Sequence, residues 1–236
     1  MQAEKKILVI IPAYNEQDNI AETLNNLKEY APEVDYVVIN DCSRDNTLNI
    51  LKDNLFSYID LPVNLGIGGG VQTGYMYAYK NGYDVAIQMD GDGQHDAQYI
   101  KTLVKPIFEG NANVVIGSRY ISKEGFQSSV ARRIGINVLS GLIYMCCGCK
   151  VKDVTSGFRA ADRKAIELFV NDYAQDYPEP EAIVACALSG LKIVEIPVVM
   201  KERCGGVSSI SKFKSIYYMI KVSIAILLKR TFIRKR

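Results

Sequence analysis

The chain has 236 residues, of which 48% are hydrophobic and 23% charged, and its formal net charge is +2. This composition is typical of a globular protein, and the length allows one large domain or two small ones. Because the net charge is small, it does not indicate a nucleic-acid partner, and we expect none. The first residues lead into a short apolar run rather than a long hydrophobic segment, so we expect no secretory signal peptide.

The six cysteines do not form paired metal-binding knuckles. Three of them occur in Cys146-Cys147-Gly148-Cys149, where no second ligand cluster follows, and His95 is the sole histidine. We interpret the cysteines as reduced thiols, which is typical of a cytoplasmic protein.

Short apolar runs alternate with amphipathic helical patterns along the first half of the chain. Strands are predicted at 7–11, 36–40, 84–89 and 113–117, with a short extended piece at 61–64. Helical patterns begin near residues 20 and 47, and a third helix is predicted over 71–81. This alternation predicts an α/β fold with a mostly parallel central sheet flanked by helices. In such sheets, ligands bind where the strands end.

The loops after these strands are polar. They carry Asp41, the glycine-rich turn at 66–70, and the pair Asp90 and Asp92. Because the carboxyl ends of parallel strands share one edge of a sheet, we expect the three loops to converge there.

The acidic run at 89–96 is the most informative stretch of the chain. Asp90 and Asp92 are two residues apart, so both carboxylates can converge on one hard cation such as Mg²⁺ or Mn²⁺. The intervening glycines remove side-chain bulk, so a diphosphate can approach the metal and the backbone. Taken alone, these residues are also compatible with an ordinary surface turn.

The pattern changes after residue 130. A helical pattern follows Arg132 and Arg133, a polar loop occupies 153–159, and a late strand is predicted at 191–200. The next segment, 201–212, is rich in glycine, serine and charge. Without a repeat or a low-complexity linker, we predict one domain over 1–212 and a basic, amphipathic tail over 213–236.

Several motifs together resemble those of family 2 glycosyltransferases with a GT-A, Rossmann-like fold. The four in the first half are Ile-Pro-Ala-Tyr-Asn-Glu at 11–16, Asn-Asp-Cys-Ser-Arg-Asp-Asn-Thr at 40–47, the glycine-rich turn with Asn64, and Asp90-Gly91-Asp92. Those in the second half are Gly-Ser-Arg-Tyr at 117–120, the loop at 153–159, and Arg203 with Ser211 and Lys212. These later motifs are similar to those of polyprenyl-phosphate sugar synthases, such as dolichyl-phosphate mannose synthases and undecaprenyl-phosphate glucosyltransferases.

The resemblance implies an inverting, metal-dependent transfer from a nucleotide-diphosphate sugar, with UDP-hexose or UDP-N-acetylhexosamine as the expected donor. The implied nucleotide-sugar site consists of Pro12, Ala13, Tyr14, Glu16, Asp41, Asn64, Gly69, Asp90 and Gly91. The implied metal ligands are Asp90, Asp92 and Gln94, for Mg²⁺ or Mn²⁺. Asp92 and Arg203 are the implied catalytic residues, and Arg203 would contact the diphosphate. Taken singly, Glu16 and Asp41 are also explained as helix-terminus residues, and Arg203 as a solvated charge.

The acceptor is left open by the sequence. Arg119, Arg132 and Arg133 are candidate clamps for a lipid phosphate, since guanidinium groups suit phosphate oxygens. The resemblance matches Arg119 and one of the arginine pair to this role. Glu179 and Glu181 are instead candidate general bases for a hydroxyl acceptor on a lipid-linked or cell-wall glycan. A third hypothesis is a nucleotide-sugar-binding subunit without catalysis.

The C-terminal stretch at 216–228 is apolar but is interrupted by Lys221 and followed by a basic tail. It is too short for a confident membrane crossing, which needs about 20 apolar residues. We therefore expect an amphipathic helix on the anionic inner face of the cell membrane, or docking onto a separate small membrane protein. A core helix that covers the sheet is the alternative.

Overall fold

The computed structural model describes residues 5–202 and 212–233 of the chain. Its strands are β1 (Ile7–Ala13), β2 (Asp35–Asn40), β3 (Tyr58–Asp60), β4 (Val85–Gln88), β5 (Val114–Ser118), β6 (Arg159–Asp162) and β7 (Ile193–Pro197). Its helices are α1 (Ile20–Tyr30), α2 (Thr47–Asp53), α3 (Gly66–Lys80), α4 (Ile100–Phe108), α5 (Val130–Cys147), α6 (Arg163–Asn171), α7 (Pro178–Leu188) and α8 (Lys212–Ile233), with a 3₁₀ turn at Ala97–Tyr99.

The seven strands form one sheet in the order β3-β2-β1-β4-β6-β5-β7. All neighbours are parallel except β6, which runs antiparallel to both β4 and β5. The prediction of a mostly parallel α/β sheet, as in the GT-A fold, is confirmed. The antiparallel strand was not predicted, because its sequence Arg-Ala-Ala-Asp has no run of branched or aromatic residues.

Both faces of the sheet are buried. Leu8 and Ile10 of β1 pack into one hydrophobic cluster, whereas Val9 and Ile11 pack into the other. Successive side chains of a strand point to opposite faces of the sheet, so the continuous apolar run of β1 contributes to both hydrophobic clusters.

Helix α3 begins five residues before its predicted start. Its first turns are rich in glycine because neighbouring backbone approaches closely there. A Cβ at Gly68 would lie 2.1 Å from the carbonyl oxygen of Ala174, and the N–H of Gly68 donates to the carbonyl of Gln175 at 3.0 Å. The glycine-rich turn therefore packs against the segment that leads into α7.

Helix α8 packs against α5 and α7. Val222 and Ile226 lie in the core, whereas Ile224 and Leu228 are about half exposed. The prediction of an amphipathic helix and its core-helix alternative thus each describe one face of α8. Among the described residues, α5 is the one helix long and apolar enough to cross a membrane, a property that core helices also have. Four residues of α5 are buried: Ile136, Leu139, Ile143 and Cys146.

Candidate active site

A cavity of about 980 Å³ lies where the strands β1, β2 and β4 end. Residues from the first half of the chain line one side: Pro12, Ala13, Tyr14, Glu16, Asp41, Asn64, Gly66, Ile67, Gly70, Asp90, Gly91, Asp92 and Gln94. Residues from the second half line the other: Ser129, Ala131, Arg132, Gly135, Ile136, Thr155, Gly157, Asp176, Tyr177, Glu179, Tyr218, Met219 and Ile220. The predicted convergence of the polar loops is therefore present.

The loop after β1 is fixed by the loop after β2. The N–H of Glu16 donates to the hydroxyl of Thr47 at 2.9 Å, and the N–H of Asn15 donates to the hydroxyl of Ser43 at 3.0 Å. The carboxylate of Glu16 accepts a hydrogen bond from Asn19 at 2.9 Å. These bonds hold the cavity-lining residues at 12–16 in one arrangement.

Asp41 is buried and organises the turn that leads into α3. Its carboxylate accepts a hydrogen bond from the N–H of Leu65 at 2.6 Å, and its carbonyl accepts one from the side chain of Asn64 at 2.9 Å. Asp41 thus supports the start of α3 rather than the start of α2, while remaining in the cavity wall.

Gly69 was predicted to border the nucleotide, but the structure places it outside the cavity wall. Gly66, Ile67 and Gly70 line the cavity, but Gly69 does not. A Cβ at Gly69 would lie 2.5 Å from the Cβ of Leu65. Its lack of a side chain is therefore explained by packing within the first turn of α3.

The carboxylates Asp90 and Asp92 face the cavity together with Gln94. The amide of Gln88 donates to Oδ1 of Asp90 at 3.3 Å, and a Cβ at Gly157 would lie 2.7 Å from Oδ2 of Asp90. The carboxylate of Asp90 therefore lies against the backbone of Gly157, where any side chain at position 157 would clash with it. The N–H of Gln94 donates to Oδ1 of Asp92 at 3.1 Å, which fixes the turn.

His95 contacts the acidic run, which the sequence analysis did not predict. It is buried beneath the acidic run, and its ring stacks on Phe158 with centroids 5.0 Å apart. Its Nδ1 accepts a hydrogen bond from the N–H of Asp90. A signal was available, because the sole histidine follows the metal motif directly.

The predicted metal ligands fit a divalent cation held jointly with a substrate. No group of three or more histidine, cysteine, aspartate or glutamate residues within 5–202 and 212–233 forms a complete metal site. Two carboxylates that line an open cavity are a donor set with which Mg²⁺ or Mn²⁺ is held by protein and phosphate together.

Arg203 lies outside the described residues. Lys201, two positions earlier, is attached to the acidic run: its N–H donates to the carbonyl of Gln94 at 2.9 Å. The ammonium group of Lys201 also pairs with Asp96 at 2.9 Å. The hydrogen bond with Asp96 raises the pKa of Lys201 above its ordinary value.

Of the three arginines predicted to bind an acceptor phosphate, Arg132 alone lines the cavity. The guanidinium of Arg119 is buried and bound by Asp153 through two hydrogen bonds, at 2.8 and 2.7 Å. Arg133 lies over the ring of Tyr120, 3.4 Å from its centroid. The three candidate arginines are therefore placed differently, because Arg119 binds an internal carboxylate and Arg133 stacks on an aromatic ring. Phosphate binding by these arginines stays a prediction.

The two candidate bases are also separated by the structure. Glu179 lines the cavity near Gln88 and Asp90. Burial raises the pKa of Glu179, and the nearby guanidinium of Arg159 opposes this effect. Glu181 does not line the cavity, and burial also raises its pKa. Glu181 is therefore not placed to act as the base.

The contribution of α8 to the cavity was not predicted. Tyr218, Met219 and Ile220 form part of its wall, and the ring of Tyr218 contacts that of Tyr177, with centroids 4.4 Å apart. This contact joins residues 41 positions apart in the chain, and no local pattern signals it.

Known proteins are similar to this chain in sequence or in fold. The UDP-N-acetylglucosamine–dolichyl-phosphate N-acetylglucosaminyltransferase of Methanococcus voltae is 30% identical, over 83% of this chain and 86% of that protein. The undecaprenyl-phosphate mannosyltransferase of Micrococcus luteus is 30% identical, over 87% and 88%. A crystal structure of glucosyl-3-phosphoglycerate synthase from Mycobacterium tuberculosis covers 97% of this chain and 80% of its own, with a TM-score of 0.73 and 20% identity, so it shows the shared fold.

The match to a family model is the decisive comparison. Residues 8–169 match the model described as Glycosyl transferase family 2, and this range contains the loops after β1, β2 and β4 that build one side of the cavity. The chain therefore belongs to glycosyl transferase family 2 and is a glycosyltransferase.

Proposed function

We propose that this enzyme transfers a sugar from a nucleotide-diphosphate sugar, with UDP as the nucleotide, to a polyprenyl phosphate at the membrane surface. One observation carries the proposal. The cavity that contains Asp90 and Asp92 is lined on its opposite side by Arg132 and by residues of two helices, α5 and α8, that carry exposed apolar side chains. A charged donor and an amphiphilic acceptor can therefore meet in one space.

The donor occupies the side built by the first half of the chain. Glu16 and Asp41 accept hydrogen bonds from the nucleoside, while Pro12, Ala13, Tyr14 and Asn64 border it. Asp90, Asp92 and Gln94 lie next to the diphosphate. A solved structural neighbour was crystallised with Mn²⁺ and UDP, which supports the nucleotide and the class of metal.

Cleavage of the bond between sugar and phosphate releases a charged nucleoside diphosphate. A divalent cation, when bound, neutralises the leaving charge by Lewis-acid action. Asp90 and Asp92 would hold this cation, and the hydrogen bond from the N–H of Asp90 to His95 would keep the main chain of Asp90 in place. Arg203 adds a charge-assisted contact to the same diphosphate.

The acceptor phosphate is bound by Arg132. A phosphate monoester is already anionic, so it attacks without a base to remove a proton, unlike a sugar hydroxyl. Relatives named for dolichyl and undecaprenyl phosphate support this acceptor class. Attack from the face opposite the diphosphate inverts the anomeric centre.

The lipid chain of the acceptor extends along α5 and α8. Exposed apolar residues on these helices include Val130, Ile134 and Val138 of α5 and Ile220, Ile224, Leu227 and Leu228 of α8. Lys229 and Arg230 follow this stretch but contact the protein itself, because Lys229 pairs with Asp172 at 2.8 Å and Arg230 donates to the carbonyl of Met145 at 2.9 Å. The exposed apolar side chains therefore carry the proposed membrane contact. We propose peripheral attachment to the cytoplasmic face of the membrane, with a small membrane protein as an additional docking partner.

A second candidate function is transfer to a sugar hydroxyl on a lipid-linked glycan. It is favoured by one observation, which is that Glu179 lines the cavity and has a raised pKa. The two candidates differ in whether a base is needed, because a sugar hydroxyl must lose a proton and an anionic phosphate need not.

Transfer assays with Arg132→Ala and Arg132→Lys test the acceptor assignment. Loss of transfer to polyprenyl phosphate in Arg132→Ala, with partial recovery in Arg132→Lys and unchanged nucleotide binding in both, supports it. Full transfer by Arg132→Ala contradicts it.

A further inference from the structure

The residues that lead into α7 form one wall of the cavity that also contains Asp90 and Asp92. Asp176, Tyr177 and Glu179 all line this wall. They follow directly on the segment at 174–175 against which Gly68 packs. The wall is therefore attached to the donor side of the cavity through main-chain contacts.

Tyr177 has an unusual backbone conformation. Its φ is 53° and its ψ is 58°, in the left-handed region that bulky residues rarely adopt. Its ring contacts Tyr218 of α8, and Asp176 is ion-paired with Lys221 of the same helix. Such strain persists where surrounding contacts enforce it, and it is concentrated at ligand sites.

Glu179 lines the same cavity as Asp90, and Gln88 is near both carboxylates. The side-chain amide of Gln88 donates to Asp90 at 3.3 Å, and its proximity favours the ionised form of Glu179. The hydroxyl of Tyr173 donates to Oε1 of Gln88 at 3.2 Å, which fixes the amide's orientation. Fully buried Arg159 holds the carbonyl of Glu179 from behind, at 3.2 Å.

This position suits contact with the sugar better than base catalysis. The sugar is bonded directly to the diphosphate, so a carboxylate one amide away from Asp90 is adjacent to the sugar. An inverting nucleophile approaches from the face opposite the diphosphate, and its base would stand on that far side. Glu179 instead lies on the side of the cavity that carries Gln88 and Asp90.

We propose that Glu179 selects the donor sugar by accepting hydrogen bonds from hexose hydroxyl groups, with the strained Tyr177 as the wall against which the ring is placed. The inference rests on the proposed nucleotide-sugar donor and deepens it. A site that hydrogen-bonds a substrate hydroxyl discriminates strongly against analogues that lack or misplace the group, because buried polar atoms are then left unpaired.

Calorimetry with Mn²⁺ and four probes tests the inference: UDP, UDP-glucose, UDP-galactose and UDP-N-acetylglucosamine. The variants are Glu179→Gln and the matched control Glu181→Gln, which lies two residues further along α7 and outside the cavity. We expect Glu179→Gln to bind UDP within about twofold of the unaltered protein and its preferred nucleotide sugar roughly tenfold more weakly. We expect the differences in affinity among the three UDP-sugars to become smaller in Glu179→Gln and to stay unchanged in Glu181→Gln.

Different outcomes separate this inference from the proposed function. Unchanged sugar affinity and preference in Glu179→Gln overturn the inference, and so does a slower single-turnover transfer with sugar binding retained, because that result identifies a base. Failure of the unaltered protein to bind any of the four probes overturns the proposed UDP-sugar donor and the inference together. If Glu179→Gln no longer binds UDP, Glu179→Asp takes its place, and retained sugar preference with the shorter carboxylate contradicts the inference.

Discussion

Asp90 and His95 are joined by a hydrogen bond of 3.0 Å, from the backbone N–H of Asp90 to Nδ1 of the imidazole. The other ring nitrogen, Nε2, lies 3.8 Å from Oδ2 of Asp90. Nδ1 is therefore the hydrogen-bond acceptor of the ring, and Nε2 is the nitrogen on the side of the carboxylate. His95 thus fixes the main chain of Asp90 directly.

Substitution of His95 by alanine is expected to weaken Mn²⁺ binding in the presence of UDP by about 10-fold or more, since partners that orient ligands commonly contribute 10- to 100-fold. The measurement is a Mn²⁺ titration followed by electron paramagnetic resonance. His95→Asn, whose side-chain oxygen can accept the bond from Asp90, should recover part of the affinity. Equal Mn²⁺ affinity in His95→Ala and the unaltered protein contradicts the positioning role.

Asp92→Ala is expected to abolish metal-dependent binding of the nucleotide sugar, because one of two protein carboxylates at the cation is removed. Calorimetry with and without Mn²⁺ measures the effect. Asp18→Ala, at an exposed position outside the cavity, is the control and should bind as the unaltered protein does. Undiminished affinity in Asp92→Ala would refute the metal assignment.

The buried pair Arg119 and Asp153 is expected to contribute to stability. Removal of one partner leaves an uncompensated buried charge, so Asp153→Asn should lower the free energy of unfolding by about 3–5 kcal/mol. Urea denaturation of Asp153→Asn, Arg119→Met and the double variant measures it, and the double variant should be less destabilised than the sum of the two. Additive effects would mean that the two side chains do not act as a pair.

The exposed apolar face of α8 is expected to bind anionic membranes. Ile224→Asp combined with Leu227→Asp should reduce co-sedimentation with phosphatidylglycerol vesicles, because charge replaces apolar surface. Leu55→Asp is the control, since Leu55 is 91% exposed but lies after α2, outside α5 and α8. Deletion from Ile216 onward should release the protein as well. Equal sedimentation of all variants would place the membrane contact elsewhere.

The sequence predicted the parts of this protein that depend on local patterns. The apolar run of β1 predicted a strand buried on both faces, and this prediction is confirmed because neighbouring residues alone determine it. The spacing of Asp90 and Asp92 predicted convergence on one cation; both residues line the cavity, and the cation stays a prediction. The early start of α3 was missed, because glycine normally weakens a helix and the close approach of residues 174–175 is a tertiary effect.

The remaining features depend on distant partners. Arg119 was predicted to bind a substrate phosphate, but Asp153, which is 34 residues away, occupies its guanidinium. Glu179 and Glu181 were equivalent in the sequence, and the orientation of α7 separates them. Motifs identify the residue types that a site requires. Packing decides which of several candidate residues, such as Glu179 or Glu181, reaches the site.

The most direct test of the proposed function is transfer from a panel of radiolabelled nucleotide sugars to undecaprenyl phosphate in detergent, with Mn²⁺ or Mg²⁺ present. We predict a lipid product that is labile to mild acid, formed from one preferred UDP-sugar and absent when the metal is chelated. Metal-dependent hydrolysis of a donor without any lipid product would contradict a polyprenyl-phosphate acceptor and would favour a hydroxyl acceptor instead.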